Sequence, residues 1–240
     1  RGPGLPYINT TSCCGPQLAF DREKSGGGEP DGLGYSSSEW EGKLIAGNTF
    51  DYPFVHGKAI QAAGGYSFVS CSDEAIEQSL IRMEDYPIVD LILGAEKAML
   101  NEKMQQRIVD YTRQGGNLLV SGSYIGSILP TSLSNNVLKF SHGGSMWGVT
   151  TGNVSGANTT FTFPTQVNEK NYAVTAPDCL LPANGSYSTF VYTPGNYGAG
   201  IAYKGSDYRT FVLGFPLESI EGTQQRTQMM KAALGLFRSK

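Results

Sequence analysis

Short apolar runs alternate with amphipathic stretches between residues 51 and 137, and glycines separate them. Residues 89–93 (V-D-L-I-L) and 117–121 (N-L-L-V-S) are nearly continuous apolar runs, as strands buried on both faces require. The intervening stretch has apolar residues at i, i+4 and i+7, the spacing of an amphipathic helix. This alternation predicts a parallel α/β sheet. The predicted strands are 66–71, 89–93 and 117–121, and the predicted helices are 53–63, 72–80 and 96–114.

The character of the chain changes at about residue 138. Residues 159–163 and 188–192 alternate between apolar and polar side chains, and turns such as Asn184-Gly185 separate the runs. A last apolar strand is predicted at 210–214 and a last helix at 223–237. We therefore predict a single domain over 1–240, composed of a long irregular N-terminal segment (1–50), an α/β core (51–137 and 206–240) and a β-rich insertion (138–205).

Composition and charge exclude several classes of protein. Charged residues make up 16% of the 240-residue chain, against about 25% in an average domain, and the net charge is −3. No stretch rich in Lys or Arg indicates a nucleic-acid partner, and no apolar run reaches the roughly 18 residues of a membrane span. Low charge with abundant Ser, Thr, Asn and Tyr favours a secreted protein.

The four cysteines form no C-x-x-C pair, so a zinc site is not expected, and nothing else in the sequence indicates a metal or a cofactor. Cys13 and Cys14 are adjacent and poorly placed to bridge each other. A disulfide from one of them to Cys71 or Cys179 stays open, with free thiols as the other interpretation.

The strand at 117–121 leads into Gly122-Ser123-Tyr124-Ile125-Gly126, which has the G-x-nucleophile-x-G spacing of a nucleophile elbow. The flanking glycines allow a sharp turn that lifts the central side chain above the sheet. That residue is Tyr124 instead of Ser or Cys, and no histidine follows a core strand to serve as its base. A tyrosine packed in a glycine-rich turn is the alternative interpretation.

The order of these motifs resembles the class I glutamine-amidotransferase-like family, through 89–94, 115–126 (G-G-N-L-L-V-S-G-S-Y-I-G) and 211–221 (F-V-L-G-F-P-L-E-S-I-E). The resemblance implies a three-layer, flavodoxin-like parallel sheet, here with an antiparallel β insertion. It also places Tyr124 at the position of the family's catalytic cysteine and Pro216 at that of its histidine. Only Glu218 remains of the triad, so the amidotransferase reaction is not implied.

Longer runs resemble a domain of secreted Bacteroidetes proteins labelled xanthan lyase-like. They are 48–60 (N-T-F-D-Y-P-F-V-H-G-K-A-I) and 66–77 (Y-S-F-V-S-C-S-D-E-A-I-E). The resemblance implies a secreted, periplasmic or cell-surface location and a link to polysaccharide use. Such domains have a core strand before the long loop, and no run before residue 51 matches it. We therefore expect a fragment whose sheet lacks that strand or recruits another.

Ligands of open α/β sheets bind beyond the carboxyl ends of the parallel strands. Tyr124, Glu218 and His56 are the catalytic candidates there, with His56 as an acid or base. In the alternative interpretation, Asp51 caps the helix and His56 is packed under the N-terminal segment. The residues expected to bind a ligand are Asp51, Glu96, Ser121, Ser123, Tyr124 and Glu218.

Two functions follow from these observations. The first is a non-catalytic accessory or binding domain of a larger secreted protein, with carbohydrate and neighbouring domains of the same polypeptide as partners. The second is a carbohydrate-active lyase or hydrolase with a pocket at the strand ends. Convergence of Tyr124, Glu218 and either His56 or Asp51 on one open cleft would favour the enzyme. A packed Tyr124, with Glu218 capping the final helix, would favour the accessory domain.

Overall fold

A computed structural model describes residues 17–18, 44–45, 52–95, 97, 99–146, 148, 151–166 and 173–238. The helices over these residues are α1 (Tyr52–Ala63), α2 (Asp73–Glu77), α3 (Glu102–Arg113), α4 (Ile125–Ile128), α5 (Thr131–Asn136) and α6 (Thr223–Arg238). Short 3₁₀ turns lie at Met83–Asp85 and Leu217–Ser219. The strands are β1 (Gln17–Leu18), β2 (Leu44–Ile45), β3 (Ile88–Gly94), β4 (Asn117–Gly122), β5 (Phe140–Ser145), β6 (Asn153–Gly156), β7 (Thr159–Thr162), β8 (Asp178–Pro182), β9 (Tyr187–Thr193), β10 (Tyr197–Lys204) and β11 (Arg209–Leu213).

The main sheet has seven strands in the described residues, in the order β3-β4-β11-β10-β9-β6-β7. Only β3, β4 and β11 run parallel to one another. The other four pairings are antiparallel. The predicted three-layer, flavodoxin-like parallel sheet is therefore wrong, because this sheet is mixed and mostly antiparallel.

The prediction failed because the β-rich region pairs with the edge of the parallel strands and extends their sheet. Lys204 pairs with Arg209 across a short turn, so β10 lies antiparallel along the outer edge of β11. Strands β9, β6 and β7 then extend the same sheet. Alternation along a strand indicates which side chains are buried, but it does not indicate which strand is the partner. The region predicted as a β-rich insertion consequently supplies four of the seven strands of the main sheet.

The parallel part of the sheet is covered on both faces. Leu119 belongs to an apolar cluster that also contains Met230 and Ala233 of α6. Its neighbours in the strand, Leu118 and Val120, belong to a second cluster with Ile108 of α3 and others. Because successive side chains of a strand point to opposite faces, the two clusters lie on opposite sides of the sheet.

Several local boundaries also differ from the predictions. Residues 66–71, predicted as a strand, form neither helix nor strand, and the predicted helix 72–80 is confined to Asp73–Glu77. The helix predicted from residue 96 begins at Glu102, because Asn101 caps it by accepting a hydrogen bond from the Met104 amide at 2.9 Å. Strand β3 is left at one edge of the sheet, with β4 as its one neighbour in the described sheet.

Candidate functional site

Three ionisable side chains meet at the parallel strands. His56 comes from α1, Asp90 from the middle of β3, and Glu218 from the 3₁₀ turn that follows β11. The His56 Nδ1 atom lies 2.7 Å from Asp90 Oδ2, and its Nε2 atom lies 3.0 Å from Glu218 Oε2. The side chains of His56 and Glu218 are 1% and 2% exposed, whereas that of Asp90 is 15% exposed. The imidazole is therefore held between two carboxylates and nearly sealed from solvent.

This arrangement determines the charge of the histidine. Burial alone would lower the pKa of His56, but the charge and hydrogen bond of Asp90, followed by those of Glu218, raise that pKa from 6.5 to about 10. Both ring nitrogens therefore donate, and the ring is a cation at neutral pH. Two carboxylates with one imidazolium leave the group one negative charge in excess.

Several buried oxygen atoms of β3 and of the carboxyl end of β4 have no hydrogen-bond partner in the described part of the chain. They are Asp90 Oδ1, Ser121 Oγ and Ser123 Oγ. Ser121 and Ser123, both predicted to bind a ligand, are 0% and 1% exposed. A ligand in solvent could not reach either hydroxyl without a rearrangement of the strand ends.

The elbow adopts a sharp turn between β4 and α4. Tyr124 has a left-handed backbone with φ 59°, which is uncommon for a residue other than glycine. The Ser123 amide donates to the Gly94 carbonyl at 2.7 Å and so joins the turn to the end of β3. The Tyr124 ring is half-buried, and the Lys97 Nζ atom lies 5.2 Å from its centroid. The described contacts of Tyr124 include neither a histidine nor a carboxylate.

The structure thus brings His56 and Glu218 together and leaves Tyr124 outside their hydrogen-bonded group. Asp51 and Glu96, both predicted to bind a ligand, lie outside the described residues. Asp90 was missed by the sequence analysis, although a carboxylate inside the apolar run V-D-L-I-L is the signal that could have found it.

A second histidine–carboxylate pair was also missed. His142 Nε2 lies 3.2 Å from Asp178 Oδ1, and Asp178 Oδ2 accepts a hydrogen bond from the Gly126 amide at 2.7 Å. The His142 side chain is 31% exposed, whereas that of Asp178 is 1% exposed. Burial raises the pKa of the Asp178 carboxyl, and the bond from Gly126 opposes that shift. The pair ties the elbow helix α4 to strands β5 and β8.

A cavity of about 1060 Å³ runs along the edge strand β3. One wall is the irregular stretch 66–72 with the start of α2, and the others are β3, which carries Asp90, and α1, which carries His56. Phe68 and Val69 of that stretch are exposed, at 50% and 64%. Cys71 is an exposed free thiol here and Cys179 a buried one, whereas Cys13 and Cys14 lie outside the described residues. The cavity walls are mainly apolar, and the charged groups on them are few.

No metal site or membrane helix is found within the ranges given above. No group of three or more His, Cys, Asp or Glu side chains in those ranges is placed to hold a metal ion. No described helix has the length and apolar character needed to cross a membrane.

Sequence comparisons match no protein-family model and no curated protein. Solved structures, in contrast, share the fold. The β-galactosidase of the Antarctic haloarchaeon Halorubrum lacusprofundi aligns with a TM-score of 0.50 and 15% identity, over 75% of this chain and 25% of that chain. The exo-β-1,4-mannosidase of Opitutaceae bacterium strain TAV5 aligns with a TM-score of 0.54 and 10% identity, over 75% of this chain and 30% of that chain.

The mmIFT52 N-terminal domain also aligns, with a TM-score of 0.51 and 12% identity, over 73% of this chain and 87% of that domain. Identities this low show a similar fold only. The chain spans between a quarter and a third of the length of the two glycosidases that it resembles.

Proposed function

We propose that this chain is a non-catalytic binding or accessory domain of a larger secreted protein involved in polysaccharide use. The observation that carries the proposal is the state of His56. A general base must present an unprotonated nitrogen within reach of its substrate. Both nitrogens of His56 bond to carboxylates, its pKa of about 10 keeps the proton on the ring, and the side chain is 1% exposed.

The carboxylates of Asp90 and Glu218 also lack the arrangement of a glycosidase pair. Glycoside hydrolases commonly use two Asp or Glu residues that flank the scissile bond, one as acid and the other as base or nucleophile. Asp90 and Glu218 instead flank an imidazolium and bond to it. At the elbow, Tyr124 stands where a nucleophile is expected, and its described neighbour is Lys97. A covalent mechanism would need a base beside that residue.

The link to carbohydrate is supported by the similar fold of parts of a β-galactosidase and a β-mannosidase. Both similar regions belong to much longer chains, which favours a domain that works beside others. The xanthan lyase-like resemblance and the secreted location stay predictions of the sequence. An accessory domain of this kind would hold a glycan or a neighbouring domain without breaking a bond.

The alternative is a carbohydrate-active enzyme, and one observation favours it: His56 and Asp90 both line the cavity along β3. The two functions differ in a hydrolysis assay with nitrophenyl β-galactoside and nitrophenyl β-mannoside, and in a lyase assay on an acidic polysaccharide. We expect the purified chain to give no turnover above the buffer blank. Turnover that disappears in Glu218→Gln or Tyr124→Phe, with the melting temperature retained, would overturn the proposal and establish the enzyme.

A further inference from the structure

A second, polar pocket lies at the edge of the sheet opposite to His56. It has a volume of about 390 Å³ and forms where β6 and β7 approach the start of α6. Its polar lining side chains are Asn153, Thr160, Thr162, Thr193, Glu221 and Gln225. Pockets for small ligands have volumes of about 300–1,000 Å³ and a few convergent polar groups, so this one falls within the range of a single small ligand.

The chemistry of the lining selects the kind of ligand. The side chains supply hydroxyls, amides and one carboxylate, and no lysine, arginine or histidine is among the residues that line the pocket. An anionic ligand would meet the Glu221 carboxylate without a compensating cation. A ligand rich in hydroxyls suits the lining, because each hydroxyl can both donate to and accept from amides and threonines.

Val154 and Phe161 also line the pocket. They are 1% and 4% exposed, because they belong to the buried cluster that contains the α6 side chains, so a ligand in this pocket would meet mainly the polar groups.

Hydrogen bonds within the lining hold these groups in place. Thr162 Oγ1 donates to Glu221 Oε2 at 2.5 Å, and the Glu221 amide donates to the Thr162 carbonyl at 2.8 Å. Asn153 Nδ2 donates to Thr151 Oγ1 at 2.7 Å. No hydrogen bond described for this pocket uses the second Glu221 oxygen or the Gln225 amide, so both are available to a ligand. Groups that are already ordered lose less entropy when a ligand binds.

We propose that this pocket binds a neutral sugar residue of a glycan, with Glu221 and Gln225 as the principal hydrogen-bonding groups. The proposal rests on the proposed function and gives it a location and a ligand class. It predicts selectivity for neutral glycans over uronate-bearing ones.

The test is an NMR titration of the full chain with β-1,4-mannobiose, lactose and glucuronic acid. We expect at least one neutral disaccharide to shift amide signals of β6, β7 and the first turn of α6, and glucuronic acid to leave them unchanged. Glu221→Gln and Gln225→Ala should each raise the Kd about tenfold, as loss of a hydrogen bond to a charged or oriented group does. Gln228→Ala is the matched control, because Gln228 lies one turn further along α6 and accepts a hydrogen bond from Thr159 outside the pocket.

The outcomes separate the two proposals. Binding of a neutral disaccharide with unchanged Kd in both variants would overturn the site and leave the proposed function standing. Preferred binding of glucuronic acid would overturn the ligand class. No binding of any of the three sugars would count against this site and against a direct sugar-binding role for the domain.

Discussion

His56 donates a hydrogen bond from Nδ1 to Oδ2 of Asp90, 34 positions later in the chain, over a distance of 2.7 Å. Because Nε2 bonds to Glu218 at the same time, the ring is an imidazolium enclosed by two carboxylates. The arrangement joins α1, β3 and the turn after β11. It therefore stabilises the fold. Because both ring nitrogens of His56 are bonded, this histidine cannot act as a general base.

Replacement of that histidine should be costly. In His56→Asn the carboxylates of Asp90 and Glu218 lose the cation between them, and breaking a buried charge group in this way costs about 3–5 kcal/mol. Urea unfolding monitored by circular dichroism measures the change. His142→Asn is the control, because that ring is 31% exposed and its partner Asp178 keeps the bond from Gly126. We expect a loss of about 1 kcal/mol there, and equal losses in the two variants would contradict a special role for His56.

The same group predicts a dependence of stability on pH. The pKa of His56 is about 10 in the folded chain and about 6.5 in the unfolded chain. A pKa raised by folding contributes stability that is fully present below pH 6.5 and is lost as the pH rises towards 10. The difference in unfolding free energy between wild type and His56→Asn should therefore shrink between pH 6.5 and 10. A difference that stays constant across this range would show that the ring is not charged.

Gly214 at the end of β11 should not tolerate a side chain. A Cβ atom at this position would lie 2.1 Å from the backbone carbonyl oxygen of Asp178. The Asp178 amide in turn donates a hydrogen bond to the Gly214 carbonyl oxygen at 2.7 Å, so the two backbones are held close together. We expect Gly214→Ala to lose about 3 kcal/mol of unfolding free energy, because the two backbones must separate. Gly235→Ala in α6 is the opposite case, since nothing lies within 4 Å of its Cβ position.

For Gly235→Ala, thermal and urea unfolding should show a gain of about 0.5–1 kcal/mol, because alanine favours a helix interior over glycine. A loss of unfolding free energy in Gly235→Ala, or an unchanged value in Gly214→Ala, would contradict the backbone positions described above.

The Tyr111 hydroxyl should contribute measurably to stability. It donates to the Tyr86 carbonyl at 2.9 Å and lies 3.2 Å from the Asn117 carbonyl, so it joins α3 to the chain before β3 and to the start of β4. Tyr111→Phe should cost about 1–2 kcal/mol, because the partly buried carbonyl groups of Tyr86 and Asn117 then lose their donor. Tyr187→Phe on an exposed ring should change the stability by less than about 0.5 kcal/mol in the same assay. Comparable losses from the two changes would argue against the Tyr111 contacts.

Local signals in the sequence located several elements well. Pro53 near the start of α1 and Gly64-Gly65 after it mark a helix that the structure places at Tyr52–Ala63. The apolar runs at 89–93 and 117–121 became β3 and β4, with boundaries within one residue. The segment 66–71 had the same kind of signal but forms no strand. A strand forms only where another strand supplies its hydrogen bonds, and those bonds come from residues far away in sequence.

Local sequence signals located α1, β3, β4, β11 and α6 to within about one residue, and also the turn at Tyr124, because propensity, capping and glycine positions act between residues close in the chain. Tertiary packing, in contrast, sets β10 beside β11 in the sheet and brings His56 to Asp90 and Glu218 across 34 and 162 positions. Pairing of strands and neutralisation of buried charge depend on which distant segments pack together. The fold class and the protonation state of the histidine therefore could not be determined from local pattern.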